Sequence, residues 1–226
     1  MQDISETGYI LLAGLAIFVV GTWMIGRMVT SKLRNKVAQN VATRFQATTS
    51  KVSVRLLGNT GAKFSFHQKS SGPFSKLETS VLLLDRSNMF HMIYCRARGR
   101  TDQLQIRANL RRPPTFGLEL ATRREQHRLE EALKDRSESV RELEIENLTE
   151  QFYVVASDHE ASENLFRSPQ FRIDAEAVRP YLTRLSIAHR EPHVFVSVKL
   201  VPEAMEPTES FVLSLANYLG PRKKRH

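Results

Sequence analysis

Residues 8–26 read GYILLAGLAIFVVGTWMIG, a run of 19 residues without a charge. As a helix rising 1.5 Å per residue, such a run spans about 28 Å, close to the thickness of a bilayer's hydrocarbon core. Tyr9 and Trp23 stand near its two ends, where amphipathic rings favour the interface. A cleaved signal peptide would require a basic start and a small-residue cleavage site. Here the preceding residues are MQDISET, with Asp3 and Glu6 and no Lys or Arg, and no A-x-A follows. Residues 8–26 are therefore expected to be a permanent transmembrane helix, with Gly8 and Gly26 at its limits. Gly14 and Gly21 are seven apart and share a helix face, which would let a second membrane helix approach.

Charge is distributed unevenly around this run. From residue 8 to residue 77 there are ten basic residues and no acidic one: Arg27, Lys32, Arg34, Lys36, Arg44, Lys51, Arg55, Lys63, Lys69 and Lys76. The positive-inside rule then puts residues 1–7 on the non-cytoplasmic side and the rest of the chain in the cytoplasm. Residues 78–220 carry 19 basic and 22 acidic side chains, so the formal net charge of +9 comes from the juxtamembrane stretch and the tail. That tail, 221–226, reads PRKKRH, and its Arg222, Lys223, Lys224 and Arg225 suit electrostatic binding to lipid or RNA phosphates. In a cytoplasmic domain the sequon Asn147-Leu148-Thr149 would be silent.

Residues 27–46 are expected to continue the helix beyond the bilayer. Leu33, Val37, Val41 and Phe45 recur every four residues on one face. Arg27, Lys32, Arg34, Lys36 and Arg44 are available for anionic headgroups, and a stalk helix packed on the domain reads equally well from the same pattern. Beyond residue 46 the period becomes two. Segments 51–57, 62–67, 77–84, 90–97, 102–110 and 116–120 are expected strands, separated by turns such as Gly58-Asn59-Thr60-Gly61 and by Pro113-Pro114. Thr122 and Glu125 fit a capping box opening a helix over 122–135. Further strands are expected at 139–146, 151–156 and 193–200. Helices are expected at 158–166, at 175–185 after an Asp174 cap with Pro180 dividing it, and at 206–219 before Gly220 and Pro221. Strands first and helices interleaved later make one α+β domain over 47–220, with a mainly antiparallel sheet.

No catalytic signature is present: G-x-S-x-G, the P-loop, H-E-x-x-H and G-x-G-x-x-G are all missing. Seven histidines are scattered, and His189 and His193 are separated by a proline. The single cysteine, Cys95, excludes an internal disulfide and reads as a buried, inert thiol in the expected strand 90–97. Arg96, Arg98 and Arg100 alternate and would share one face of that strand. With Arg107, Arg111 and Arg112 they form either an RNA- or lipid-binding surface or a charged sheet edge that resists aggregation. No enzyme activity, cofactor, metal or small-molecule substrate is expected.

The order of parts resembles a known family. Segments 116–133 (FGLELATRREQHRLEEAL), 148–166 (LTEQFYVVASDHEASENLF), 178–187 (VRPYLTRLSI) and 194–202 (VFVSVKLVP) look like the coiled-coil-domain-containing, translocon-associated subunit of the PAT complex. Related uncharacterised prokaryotic single-pass membrane proteins share the same order. The resemblance covers about half the chain. It implies one membrane helix, a cytosolic α+β domain and an accessory role at a translocon or insertase, where a basic extension meets the ribosome. The chain departs from that pattern in having neither a long acidic lumenal region nor a long basic coiled coil, so calcium binding is not implied. The alternative reading is an accessory structural subunit of a bioenergetic or transport complex. Either way the expected partners are membrane lipid and another integral membrane protein.

Overall fold

In the computed structural model, which describes residues 6–46, 49–68, 72–134, 140–145 and 148–220, the apolar run and the basic stretch after it form one unbroken helix. This helix, α1 (Glu6–Gln46), is 41 residues long and contains no proline. Its two halves live in different surroundings. The apolar window in the first half has no share buried in the protein. The second half turns Gly26, Thr30, Leu33, Val37 and Val41 toward the domain, a spacing of four, three, four and four that keeps them on one side. Thr30 and Val41 are fully buried. The expected apolar seam at Leu33, Val37 and Val41 is thus a packing face, and it begins two turns earlier than its aliphatic residues indicate. The side chains of Arg44 and Phe45 lie outside the described residues.

A nine-stranded sheet, antiparallel throughout, follows in the order β1-β2-β3-β4-β9-β8-β5-β7-β6. Its strands are β1 (Thr49–Leu57), β2 (Gly61–Gln68), β3 (Phe74–Leu82), β4 (Gln103–Leu110), β5 (Leu118–Thr122), β6 (Arg141–Glu142), β7 (Phe152–Ala156), β8 (Leu182–Ile187) and β9 (Val194–Lys199). One cross-strand row runs Phe64, Thr79, Ile106, Val196, Leu185, Leu120, Val154, and every member is buried. This is the face that carries the core. Val41 of α1 belongs to the same buried cluster as Phe171, Phe211 and Leu215 from the later helices. Those helices are α4 (His159–Arg167), α5 (Pro169–Val178) and α6 (Met205–Leu219), and Phe171 joins them, 5.6 Å from Phe166 and 5.4 Å from Phe211 between ring centroids. The neighbouring row on the other face, Ser65, Glu78, Arg107, Phe195, Ser186, Glu119, is mostly polar. Near one end of that face α3 (Gln126–Lys134) packs on β5 and buries Leu129.

The α+β class and the antiparallel sheet agree with expectation, and five local expectations do not. Residues 90–97 are not a strand but lie in a helix, α2 (Met89–Ala97), because the Asn88 side chain accepts a hydrogen bond from the His91 N–H at 2.9 Å and caps its start. The segment FHMIYCRA carries apolar residues at 90, 93, 94 and 97, which is helical spacing, and the alternation of its arginines masks it. Residues 175–185 are not one helix. Instead α5 opens on Pro169 after Ser168 and ends at Val178, Asp174 lies inside it, and residues from Leu182 onward form β8. Pro180 enforces the break, since a proline disfavours helix at the residue before it. Thr122 makes no capping hydrogen bond, and a 3₁₀ turn, Arg123–Glu125, precedes α3. The expected strand 139–146 reduces to Arg141–Glu142 within the described residues. Finally, β3 begins three residues earlier than expected, at Phe74.

Candidate membrane-proximal site

The feature that decides how the domain hangs on α1 is a backbone contact. Gly26, the last residue of the uncharged run, is buried against the loop between β3 and α2, and a Cβ built there would overlap the Arg86 carbonyl. One turn on, the Thr30 hydroxyl folds back to donate to the Gly26 carbonyl at 2.8 Å, so this buried side chain brings no unsatisfied polar group to the contact. Glycine at position 26 is a steric requirement of this approach. Gly14 and Gly21 differ: nothing lies within 4 Å of a Cβ at either, so both are open to neighbours outside the chain.

The loop that meets Gly26 is fixed by its own polar network. Arg86 and Asp102 form an ion pair at 2.6 Å with both side chains about 15% exposed. The other Asp102 oxygen accepts from the Leu84 N–H at 2.7 Å, while Arg86 also donates to the Leu84 carbonyl at 3.1 Å. Asp85 accepts from the Ser87 hydroxyl at 2.6 Å and from the Ser87 N–H at 2.9 Å. The Ser87 hydroxyl holds the Asp85 carboxyl below its ordinary value, against the burial that pushes it up; the Ser87 N–H and the charge on His91 lower it further. Sequence reasoning misses Asp85, Arg86, Ser87 and Asp102, and the readable signal is Asn88 before a helical apolar spacing.

From this loop starts α2, which touches α1. It buries Cys95 and leaves Phe90, Ile93, Tyr94 and Ala97 exposed on one stripe. Leaving Phe90 and Ile93 in water forgoes about 1.5–3 kcal/mol for each side chain. On the other side of α1, the turn after β1 comes close: the Arg34 guanidinium donates to the Gly58 carbonyl at 3.0 Å, and Gly58 and Asn59 share an open groove with Trp23 and Arg27. The Arg27 guanidinium lies 5.3 Å above the Trp23 ring. Trp23 and Tyr9 are exposed.

The expected arginine surface is not one patch. Since residues 90–97 are helical, Arg96, Arg98 and Arg100 do not alternate along a strand. Arg96 lies in the last turn of α2, Arg98 caps it with its guanidinium 5.1 Å above the Tyr94 ring, and Arg100 follows Gly99. Arg107 sits on the polar sheet face over the Phe195 ring, at 5.7 Å. Arg111 and Arg112 lie beyond the far end of β4, and Arg111 donates to the Gly72 carbonyl at 2.7 Å. The sheet face is largely self-neutralised: Lys63 and Lys76 both pair with Glu78, at 3.0 and 3.1 Å, and Arg184 pairs with Glu119 at 3.2 Å. Among the described residues Lys32, Lys36, Arg96 and Arg100 form no ion pair, and neither do Arg55, Arg172 and Lys199 elsewhere on the domain. Arg222, Lys223, Lys224 and Arg225 lie outside the described residues.

Cys95 Sγ is 3.4 Å from His91 Nε2, a spacing that suits a nucleophile and its base, but at 2% exposure the thiol is shielded from a substrate. Among the described residues no group of three or more His, Cys, Asp or Glu side chains is placed to hold a metal ion.

No family model matches the chain, and no curated protein matches it. One similar solved structure is the crystal structure of the mycobacterial trehalose monomycolate transport factor A, TtfA, at 10% identity and a TM-score of 0.36, covering 76% of this chain and 75% of that one.

Two outcomes follow from the contact geometry. Alanine normally improves a helix relative to glycine, by up to about 1 kcal/mol. Gly26→Ala reverses that sign and costs about 1–3 kcal/mol through overpacking, seen as a lower midpoint of thermal unfolding in detergent, whereas Gly14→Ala does not lower it. Asp85 contributes stability above its unfolded value, near 3.8, and that contribution is lost as pH falls through its lowered folded value. The stability gap between the native chain and Asp85→Asn, measured by urea unfolding, is therefore open at neutral pH and narrows below the ordinary value.

Proposed function

We propose that the chain is a non-enzymatic, single-pass membrane-anchored accessory protein whose α+β domain faces the cytoplasm and docks on another integral membrane protein. The observation that carries this reading is α1 itself. Its apolar window has no protein around it, while the same helix, without a break, supplies Val41 and Thr30 to the folded domain. A core helix of a soluble protein would be covered along that window. A removable leader would not be continuous with a helix built into the core.

The run of basic residues without acidic ones from Arg27 to Lys76 supports the cytoplasmic side. The openness of Gly14 and Gly21 supports a partner helix within the bilayer. Docking at a translocon or insertase beside the ribosome is the specific form of the proposal, with the tail residues Arg222 to Arg225 as its RNA contact. A bioenergetic or transport complex is the other host, and there a fixed stoichiometry and no salt-sensitive ribosome cosedimentation are expected.

The native chain is expected to stay in the membrane pellet after alkaline carbonate extraction, and mild crosslinking of intact membranes is expected to recover it with a second integral membrane protein in constant ratio. Release by carbonate would defeat the anchor. A solitary monomer after crosslinking would defeat the accessory role.

A further inference from the structure

We infer that α2 is an interfacial helix, lying in the plane of the membrane that α1 crosses, with Phe90, Ile93, Tyr94 and Ala97 in the headgroup–acyl boundary and Arg96, Arg98 and Arg100 on the lipid phosphates. This rests on the reading of α1 as an anchor and adds a second membrane contact, made by the domain itself.

Three observations fix the occupant. First, height: Gly26 ends the uncharged run and lies directly against Arg86 and Ser87, and Asn88, the next residue, caps α2. The helix therefore starts at the level where the span leaves the hydrocarbon, and Trp23 with Arg27 marks that level on α1. Second, the pattern: positions 90, 93, 94 and 97 make one stripe, all exposed, with Phe90 at 75%. In the domain's interior this stripe would face the core, yet α2 buries only Cys95. A nine-residue helix with bulky apolar residues outward and arginines gathered at its end has the composition of a membrane-surface helix. Third, charge: Arg96 and Arg100 form no ion pair among the described residues, and arginine forks suit lipid phosphate. A protein partner would satisfy the apolar stripe as well, but continuity with the span puts lipid there first.

The full chain has one tryptophan, so Trp23→Phe provides a silent background. Into it go single tryptophans at exposed sites: Phe90→Trp on the stripe, Phe18→Trp in the span and Ile173→Trp on α5 as an aqueous control. Each variant is reconstituted into vesicles of phosphatidylcholine with a minority of phosphatidylglycerol, some of it brominated either near the headgroup end or near the terminal methyl of the acyl chain. The expected result is that fluorescence of the Phe90→Trp variant falls with the shallow bromines, that of Phe18→Trp with the deep ones, and that of Ile173→Trp with neither. If the stripe variant behaves like the aqueous control and is quenched by iodide in solution, the interfacial helix is overturned while the anchor stands. If the stripe variant is shielded from both bromines and iodide, protein covers the stripe and the inference is again overturned. Loss of deep quenching in Phe18→Trp is the separate signature of a failed anchor.

Discussion

The structure depends on one helix serving two surroundings without interruption. A polypeptide in hydrocarbon must satisfy every backbone N–H and C=O internally, and an α-helix does so. A helix leaving a bilayer is usually free to bend or unravel, and then the attached domain swings. Past its apolar run α1 lacks that freedom, because it enters the fold's core at once. Gly26 closes on a carbonyl, Thr30 is buried one turn later, and Val41 reaches the cluster that holds the sheet together. The orientation of the domain relative to the apolar run is therefore a property of core packing.

That coupling explains the shape of the loop at residues 84–88. A backbone carbonyl pressed against a helix must be held still, and Arg86, Asp102, Asp85 and Ser87 hold it through short charge-assisted bonds at half-buried sites. The same loop aims α2. On the polar sheet face Glu78 takes up Lys63 and Lys76, and Glu119 takes up Arg184.

Much of this is legible in the residues, for physical reasons. The apolar run needs only length and hydropathy, and the period-two segments of β1, β2, β4 and β9 follow from sheets with one buried face. The failures are local competitions. In residues 90–97 two periods coexist, one in the arginines and one in the apolar side chains, and Asn88 as a cap settles the matter for helix. In residues 175–185 a helical pattern crosses Pro180, and pairing with β5 and β9 draws the second half into the sheet as β8. Gly26 and Thr30 carry no hydrophobic signal at all, so a packing face that begins with them is invisible to periodicity. Lys32 and Lys36 follow from a helix that continues past the apolar run, whereas the arginines of 96–112 group only by sequence distance, and the fold scatters them between α2, the polar face and the far end of β4.

The most direct test of a helix with two surroundings is a spin-label scan from residue 8 to residue 43 in the reconstituted chain, comparing collision rates with oxygen and with a water-soluble nickel complex. Oxygen collisions should dominate uniformly up to about residue 25. From Gly26 onward the rates should oscillate with the helical period, both reagents being excluded at 30, 33, 37 and 41. Nickel collisions dominating across residues 8–25, or a break in the helical period near residue 26, would contradict the account.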